Sequence, residues 1–135
     1  AIAANAGWYT MPEFGVEYPY GLGGSGVRED VLAGYFARDL VVLLGDADTL
    51  RADNDLRKTP EAELQGRHRY DRGHTFYRVA RARAEAMGTA FNWRLVTVPG
   101  AGHLDGALGV LTGLECLRCM KEQQVALRLP LQTPT

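Results

Sequence analysis

Acidic residues and a histidine each follow an apolar run that is typical of a buried strand. The run 40–44 leads to Asp46 and Asp48, and the run 93–98 leads through a bend of small residues to His103. An acid bound to Nδ1 of an imidazole fixes its tautomer and leaves Nε2 free to take a proton from a nucleophile. These residue types in this order indicate a catalytic acid–histidine pair.

Each of these residues also has an ordinary structural interpretation. Asp46 or Asp48 could cap a turn, and His103 could cap a following helix, as short polar side chains commonly do. Taken singly, each residue favours that interpretation. Their occurrence together, at two equivalent strand ends, favours catalysis.

The elements that would position this pair alternate along the chain. Apolar runs at 2–6, 40–44 and 93–98 predict three strands, and apolar residues at helical spacing within 27–36, 76–87 and 104–122 predict helices between and after them. This alternation predicts an α/β fold with a mainly parallel sheet flanked by helices. The segments 7–26 and 45–73 are too rich in Gly, Pro, Asp and Arg to be regular throughout. Both leave from the carboxyl ends of strands, where such sheets bind ligands.

Composition sets the broad class of the protein. The chain has 135 residues, 46% of them hydrophobic and 23% charged, with a formal net charge of -1. We expect a single domain over 1–135 with a weakly structured tail at 124–135. No apolar run approaches the roughly 18 residues of a membrane span, and the charge balance favours neither nucleic acid nor a membrane as a partner. The arginines of 67–83 are interpreted as a solvated face.

The sequence begins AIAANAG, without an initiator Met or a basic leader. We interpret this stretch as a strand that starts upstream of the given sequence, so we expect Ala1 to lie inside a longer protein.

Three stretches carry a resemblance to a known superfamily. VVLLGDADT and RLVTVPGAGH resemble the C-terminal half of an α/β-hydrolase, in which the triad runs Ser, then Asp or Glu, then His. AANAGWYTMP resembles the strand and loop after the nucleophile helix of poly(3-hydroxybutyrate) depolymerase-like esterases. The resemblance covers about 1–106 and implies a partial α/β-hydrolase fold acting on a small-molecule ester. It implies Asp48 as the triad acid, with Asp46 as the fallback, and His103 as the general base.

The chain departs from the family pattern at the nucleophile. Its one serine, Ser25, lies in GGSGV, which lacks the second glycine of G-x-S-x-G and follows no predicted strand. In the family order the nucleophile and the oxyanion hole would lie upstream of Ala1, so the implied partner is the missing N-terminal half of the same fold. Trp8 and Tyr9 either line the substrate pocket or pack their loop against the body of the domain.

Two other functions remain open from the residues alone. The segment Gly21 to Gly26 fits G-x-G-x-x-G, and Asp46 follows 20 residues later, which is close to the spacing of a nucleotide-binding module. Residues 13–20 contain two Glu and a Pro, however, which no buried parallel strand tolerates, so a flexible loop is favoured. The other alternative is a catalytically inactive α/β-hydrolase module that only binds a partner.

The cysteines do not indicate a metal or redox site. Cys116 and Cys119 form a C-x-x-C without the second ligand pair that zinc needs. A redox C-x-x-C would open a helix, whereas this pair lies well inside a helical pattern. We expect a packed helix there, and we expect no metal and no cofactor.

Overall fold

A computed structural model of the protein describes residues 1–103. Along the chain it contains β1 (Ile2–Ala4), α1 (Glu29–Phe36), β2 (Leu40–Gly45), α2 (Pro60–Gln65), α3 (Arg69–Met87) and β3 (Trp93–Val98). The predicted helix after His103, the tail and both cysteines lie outside the described residues. Within residues 1–103 no helix is both long and apolar enough to span a bilayer.

The three strands form one parallel sheet in the order β1-β2-β3. This confirms the predicted α/β fold with a parallel sheet. Gly45, the last residue of β2, pairs with Val98, the last residue of β3, so both strands end at the same level. The first strand is shorter than predicted because Asn5 has a left-handed backbone, with φ of 43°, which turns the chain out of the strand.

The core lies between this sheet and the helices α1 and α3. Val42 and Leu44 of β2 are fully buried, as the continuous apolar run predicts. The Trp93 ring lies 5.5 Å from Phe36 of α1 and 5.3 Å from Phe76 of α3, measured between ring centroids. The sheet and both helices thus share one apolar cluster.

Helix α3 approaches β2 closely at its first turns. A Cβ atom on Gly73 would lie 2.3 Å from a methyl carbon of Leu44, so a larger residue there would have to displace this buried side chain. The N-cap of α3 is His68, whose Nδ1 accepts the backbone N–H of Asp71 at 3.2 Å, and the helix is followed by its C-cap Gly88, which is left-handed with φ of 66°. The start of α3 is therefore fixed beside the carboxyl end of β2.

The prediction of a solvated arginine face at 67–83 is wrong for two residues. Arg69 is 4% exposed and Arg72 is fully buried. The guanidinium of Arg72 donates to three backbone carbonyls and one carboxylate, which belong to Gly7, Arg57, Gly66 and Glu63. Its many planar donors thereby replace the water that a buried cation loses. Burial lowers the pKa of Arg72 from its usual value.

Candidate active site

Asp46 directly follows β2, and its side chain bonds the backbone of the turn that follows β3. It is exposed to solvent, and its Oδ1 accepts the backbone N–H of Gly100 at 2.7 Å. Its own N–H donates to the carbonyl of Val98 at 3.3 Å. The carboxylate of the fallback acid is therefore engaged by the backbone of the neighbouring turn.

Asp48, two residues further on, is buried and faces the histidine. Its Oδ2 lies 3.2 Å from Nδ1 of His103, and its side chain is 4% exposed. The imidazole is 44% exposed within the described residues. This geometry joins the buried acid to Nδ1, which is the arrangement that leaves Nε2 for proton transfer.

The close approach of the two strand-end turns depends on Gly45. A Cβ atom at this position would lie 2.4 Å from the carbonyl oxygen of Ala101 and 2.6 Å from that of Gly102. The N–H of Ala47 donates to the Ala101 carbonyl at 2.9 Å. The absence of a side chain at Gly45 lets the backbone before Asp48 lie directly against the backbone before His103.

Helix α3 supplies a cation to the same acid. The Nη1 of Arg69 lies 4.0 Å from Oδ1 of Asp48, the oxygen farther from the histidine contact, and also hydrogen-bonds Asp53. This bond lowers the pKa of Asp53 from its usual value. The carbonyl of Asp48 accepts the N–H of Tyr70 at 3.1 Å, so the start of α3 holds the acid from its backbone as well. Sequence reasoning missed Arg69, because nothing in its arginine-rich context marks it as buried.

Asn5 was also missed, although it follows directly on a strand. Its side chain bonds the backbone of Gly45 at 3.1 Å and that of Gly102 at 3.3 Å. A polar residue at the carboxyl end of an apolar strand is the signal that could have identified it. It connects all three strand ends at the edge that carries Asp48 and His103.

Trp8 and Tyr9 lie in different surroundings. Tyr9 is fully buried, and its ring stacks on Phe76 with centroids 4.4 Å apart. Its backbone N–H and carbonyl both bond the side-chain amide of Gln65. Tyr9 thus packs the loop against the body of the domain, the structural interpretation that the sequence left open, and we do not expect its ring to contact substrate.

Trp8 is partly exposed beside two other side chains. Its ring lies 4.9 Å from that of Tyr20, and the guanidinium of Arg57 lies 4.8 Å from its centroid. An aromatic face between a tyrosine and a cation can contact an organic substrate. A role of Trp8 in substrate binding stays a prediction.

The glycine-rich segment is packed against its own loop. A Cβ atom on Gly21 would lie 2.3 Å from the carbonyl oxygen of Val16, and one on Gly23 would lie 2.8 Å from the same atom. The Oγ of Ser25 donates to the carbonyl of Leu22 at 2.7 Å and accepts the N–H of Val27 at 3.2 Å. These glycines make room for backbone, and the serine hydroxyl is engaged within the loop.

The nucleotide-binding motif also lacks its structural context. In the described part of the chain no strand leads directly into Gly21, and α1 begins only at Glu29. The acid of the motif would be Asp46, whose carboxylate accepts from the Gly100 N–H. The fingerprint needs a strand, a turn and a helix in immediate succession. The geometry therefore does not favour a nucleotide at this loop.

Carboxylates and imidazoles can also bind metal ions when several of them converge. Among residues 1–103, no three His, Cys, Asp or Glu side chains come together as a metal site would require. The aspartates near His103 are engaged by other groups, since Asp53 pairs with Arg69 and Asp46 with Gly100 N–H. The chemistry of this edge is that of an acid, an imidazole and a guanidinium.

Solved structures similar to the chain include two polymer-degrading enzymes. Poly(aspartic acid) hydrolase-1 from Sphingomonas sp. KT-1 is 36% identical over 93% of this chain, with a TM-score of 0.75. The LpqC poly(3-hydroxybutyrate) depolymerase from Bordetella parapertussis is 34% identical over 94% of it, with a TM-score of 0.73. The chain spans less than half of either structure, 44% and 40% respectively. No protein-family model matches the chain, and no curated protein does.

These similarities extend over nearly the whole chain and are accompanied by the same kind of fold. They confirm the resemblance inferred from the strand-end motifs. The parallel sheet with flanking helices is the architecture of α/β-hydrolase-type depolymerases. Over the part that it spans, the chain therefore has the fold of an α/β-hydrolase.

Proposed function

We propose that this chain carries the acid and the histidine of a serine hydrolase that cleaves esters. The observation that carries the proposal is the 3.2 Å contact between Oδ2 of the buried Asp48 and Nδ1 of His103. The similarity to a hydrolase and a depolymerase supports hydrolysis as the class of reaction. Asp48 orients the imidazole, and His103 is the general base.

In the proposed mechanism, the proton moves through Nε2 of His103. With Nδ1 held by Asp48, Nε2 takes the proton of a serine hydroxyl while the serine oxygen attacks the ester carbonyl. The resulting imidazolium then gives that proton to the leaving alkoxide as the C–O bond of the tetrahedral intermediate breaks. Water attacks the acyl-serine by the same route, which releases the acid and returns the proton to the serine.

Arg69 stabilises the acid that holds the histidine. A buried carboxylate loses hydration at both oxygens, and His103 contacts only one of them. The guanidinium of Arg69, whose whole side chain is 5% exposed, lies 4.0 Å from the other oxygen. Asp53 pairs with the same guanidinium, so the site combines two carboxylates with one cation and the imidazole.

We place the nucleophile outside residues 1–135. The sequence contains one serine, Ser25, and its hydroxyl is engaged by the backbone of its own loop. The family order puts the nucleophile before the acid and the histidine. In this proposal the chain is the C-terminal part of a larger α/β-hydrolase domain, and the remaining part of that domain supplies the serine and the oxyanion hole.

The proposed substrate is an ester of the hydroxyalkanoate kind. One of the similar structures is named as a depolymerase of poly(3-hydroxybutyrate). Trp8, partly exposed between Tyr20 and Arg57, is the proposed aromatic contact for such a substrate. The guanidinium of Arg57, which lies beside the Trp8 ring, would bind an acidic group of the substrate.

The first test is the substitution His103→Ala in the complete protein. We expect kcat for p-nitrophenyl acyl esters to fall by about three orders of magnitude or more, because no base remains to take the serine proton. His74→Ala is the matched control, since that imidazole packs on Tyr70 within α3 and should leave kcat at the parental value. A His103→Ala variant with near-parental kcat would refute the proposed pair.

A further inference from the structure

Asn5 has a backbone conformation that few side chains allow. It follows directly on β1 with φ of 43°, and it is 1% exposed. Asparagine adopts this left-handed region more readily than most residues, because its short amide can bond locally. Its own N–H donates to the carbonyl of Leu43 at 3.2 Å, which fixes the residue beside the end of β2.

Both ends of the Asn5 amide are used, and each bonds a different turn. Oδ1 accepts the N–H of Gly45 at 3.1 Å, three residues before Asp48. Nδ2 donates to the carbonyl of Gly102 at 3.3 Å, the residue adjacent to His103. One side chain therefore links the turn that carries the acid to the turn that carries the histidine.

An amide can make both of these bonds at once, because it carries an acceptor oxygen and a donor nitrogen. A carboxylate could accept from Gly45 but could not donate to Gly102, and an ammonium could donate but not accept. The bond to Gly102 reaches the chain one residue before the imidazole, whereas the bonds of Asp46 and Ala47 reach Gly100, Val98 and Ala101. Asn5 thus fixes Gly102, the last backbone residue before His103.

We propose that Asn5 is a positioning residue that sets the location of the His103 imidazole relative to Asp48. This inference rests on the proposed hydrolase function of the same site. Asn5 acts through Gly45 and Gly102 and contacts neither substrate nor the reacting atoms. Loss of its amide lets the 100–103 backbone shift, so the imidazole meets Asp48 in a smaller fraction of the molecules.

The test compares Asn5→Asp and Asn5→Gly with the parental protein in its complete form. Asn5→Asp keeps the acceptor for Gly45 and loses the donor for Gly102, while Asn5→Gly loses both bonds and tolerates the left-handed backbone. We expect kcat for p-nitrophenyl butyrate to fall by about 10²-fold in both variants, since a misplacement on the order of 1 Å has that effect. KM should remain at the parental value, because substrate binding does not use this amide.

A matched control is available in Asn92→Asp. The amide of Asn92 also donates to a backbone carbonyl, that of Ala37 at 2.6 Å, but it lies just before the opposite end of β3. This variant should keep the parental kcat. Proton NMR supplies a readout that a general loss of stability would not change: the far-downfield Nδ1–H signal of a carboxylate-bound imidazole should weaken in both Asn5 variants and persist in Asn92→Asp.

The outcomes separate this inference from the function on which it rests. If His103→Ala keeps the parental kcat, the hydrolase proposal fails, and Asn5 has no imidazole to position. If His103→Ala is inactive while either Asn5 variant keeps the parental kcat and the downfield signal, the role of Asn5 is refuted. Asn5→Gly is included because it should fold even if the added charge of Asn5→Asp prevents folding.

Discussion

Two glycine-containing regions of this protein suggest chemistry, and their glycines serve different contacts. At the strand-end edge, Gly45 leaves room for the carbonyls of Ala101 and Gly102, which belong to a turn more than 50 residues away in sequence. In the glycine loop, residues 13–26, Gly21 leaves room for the carbonyl of Val16 in the same loop. The first contact brings an acid and a base together, and the second only makes a loop compact. What a glycine contributes to function therefore depends on which atoms occupy the space that a Cβ would fill.

The acid at the strand-end edge should show the largest effect. In the complete protein, Asp48→Asn should lower kcat for ester hydrolysis by about 10⁴-fold, because the amide favours the wrong tautomer of the imidazole. Asp46→Asn is the matched control, since that side chain caps a backbone N–H, and it should retain most of the parental kcat. The reverse result, with Asp46→Asn as the damaging change, would move the role of acid to Asp46.

Gly45→Ala should show an intermediate effect. The added methyl would overlap two carbonyl oxygens of the β3 turn and push His103 away from Asp48. We expect kcat to fall by about 10²-fold, as for a misplaced catalytic group, together with a lower melting temperature. Steady-state kinetics and thermal unfolding of the same preparation would test this. An unchanged kcat would mean that the two turns can separate without moving the pair.

Gly21→Ala is the counterpart in the glycine loop and should have the smallest effect on catalysis. Its methyl would overlap the Val16 carbonyl as severely, so unfolding should become easier by about 1–3 kcal/mol. The kcat of the folded protein should remain parental, because this loop positions no catalytic group. Chemical denaturation combined with kinetics separates the two effects, and a large loss of kcat would place the glycine loop in the active site.

The parts of the fold that could be predicted are those specified by local sequence. The apolar runs 40–44 and 93–98 predicted the strands β2 and β3, and the helical spacing of apolar residues within 76–87 predicted the later turns of α3. The acid and the histidine could be placed at one edge because parallel strands end together. The distinction between Asp46 and Asp48 came from the family resemblance, and the structure brings Asp48 to the imidazole.

The parts that could not be predicted depend on partners distant in sequence. Arg72 can be buried because carbonyls from three separate loops accept hydrogen bonds from its guanidinium, and no local pattern shows that convergence. Tyr9 was a candidate for substrate contact until its stacking on Phe76 of α3 placed it in the core. The helix α2 has a clear start in Thr59 and Pro60, but it is only 6 residues long and lies within a polar segment.

Covalent labelling with a fluorophosphonate probe tests the central claim most directly, that Asp48 and His103 activate a serine. The complete protein would be incubated with the probe, digested and analysed by mass spectrometry, beside its His103→Ala and His74→Ala variants. The account predicts one modified serine outside residues 1–135, labelled in the parental protein and in His74→Ala but not in His103→Ala. Modification of Ser25, or equal labelling of the His103→Ala variant, would contradict it.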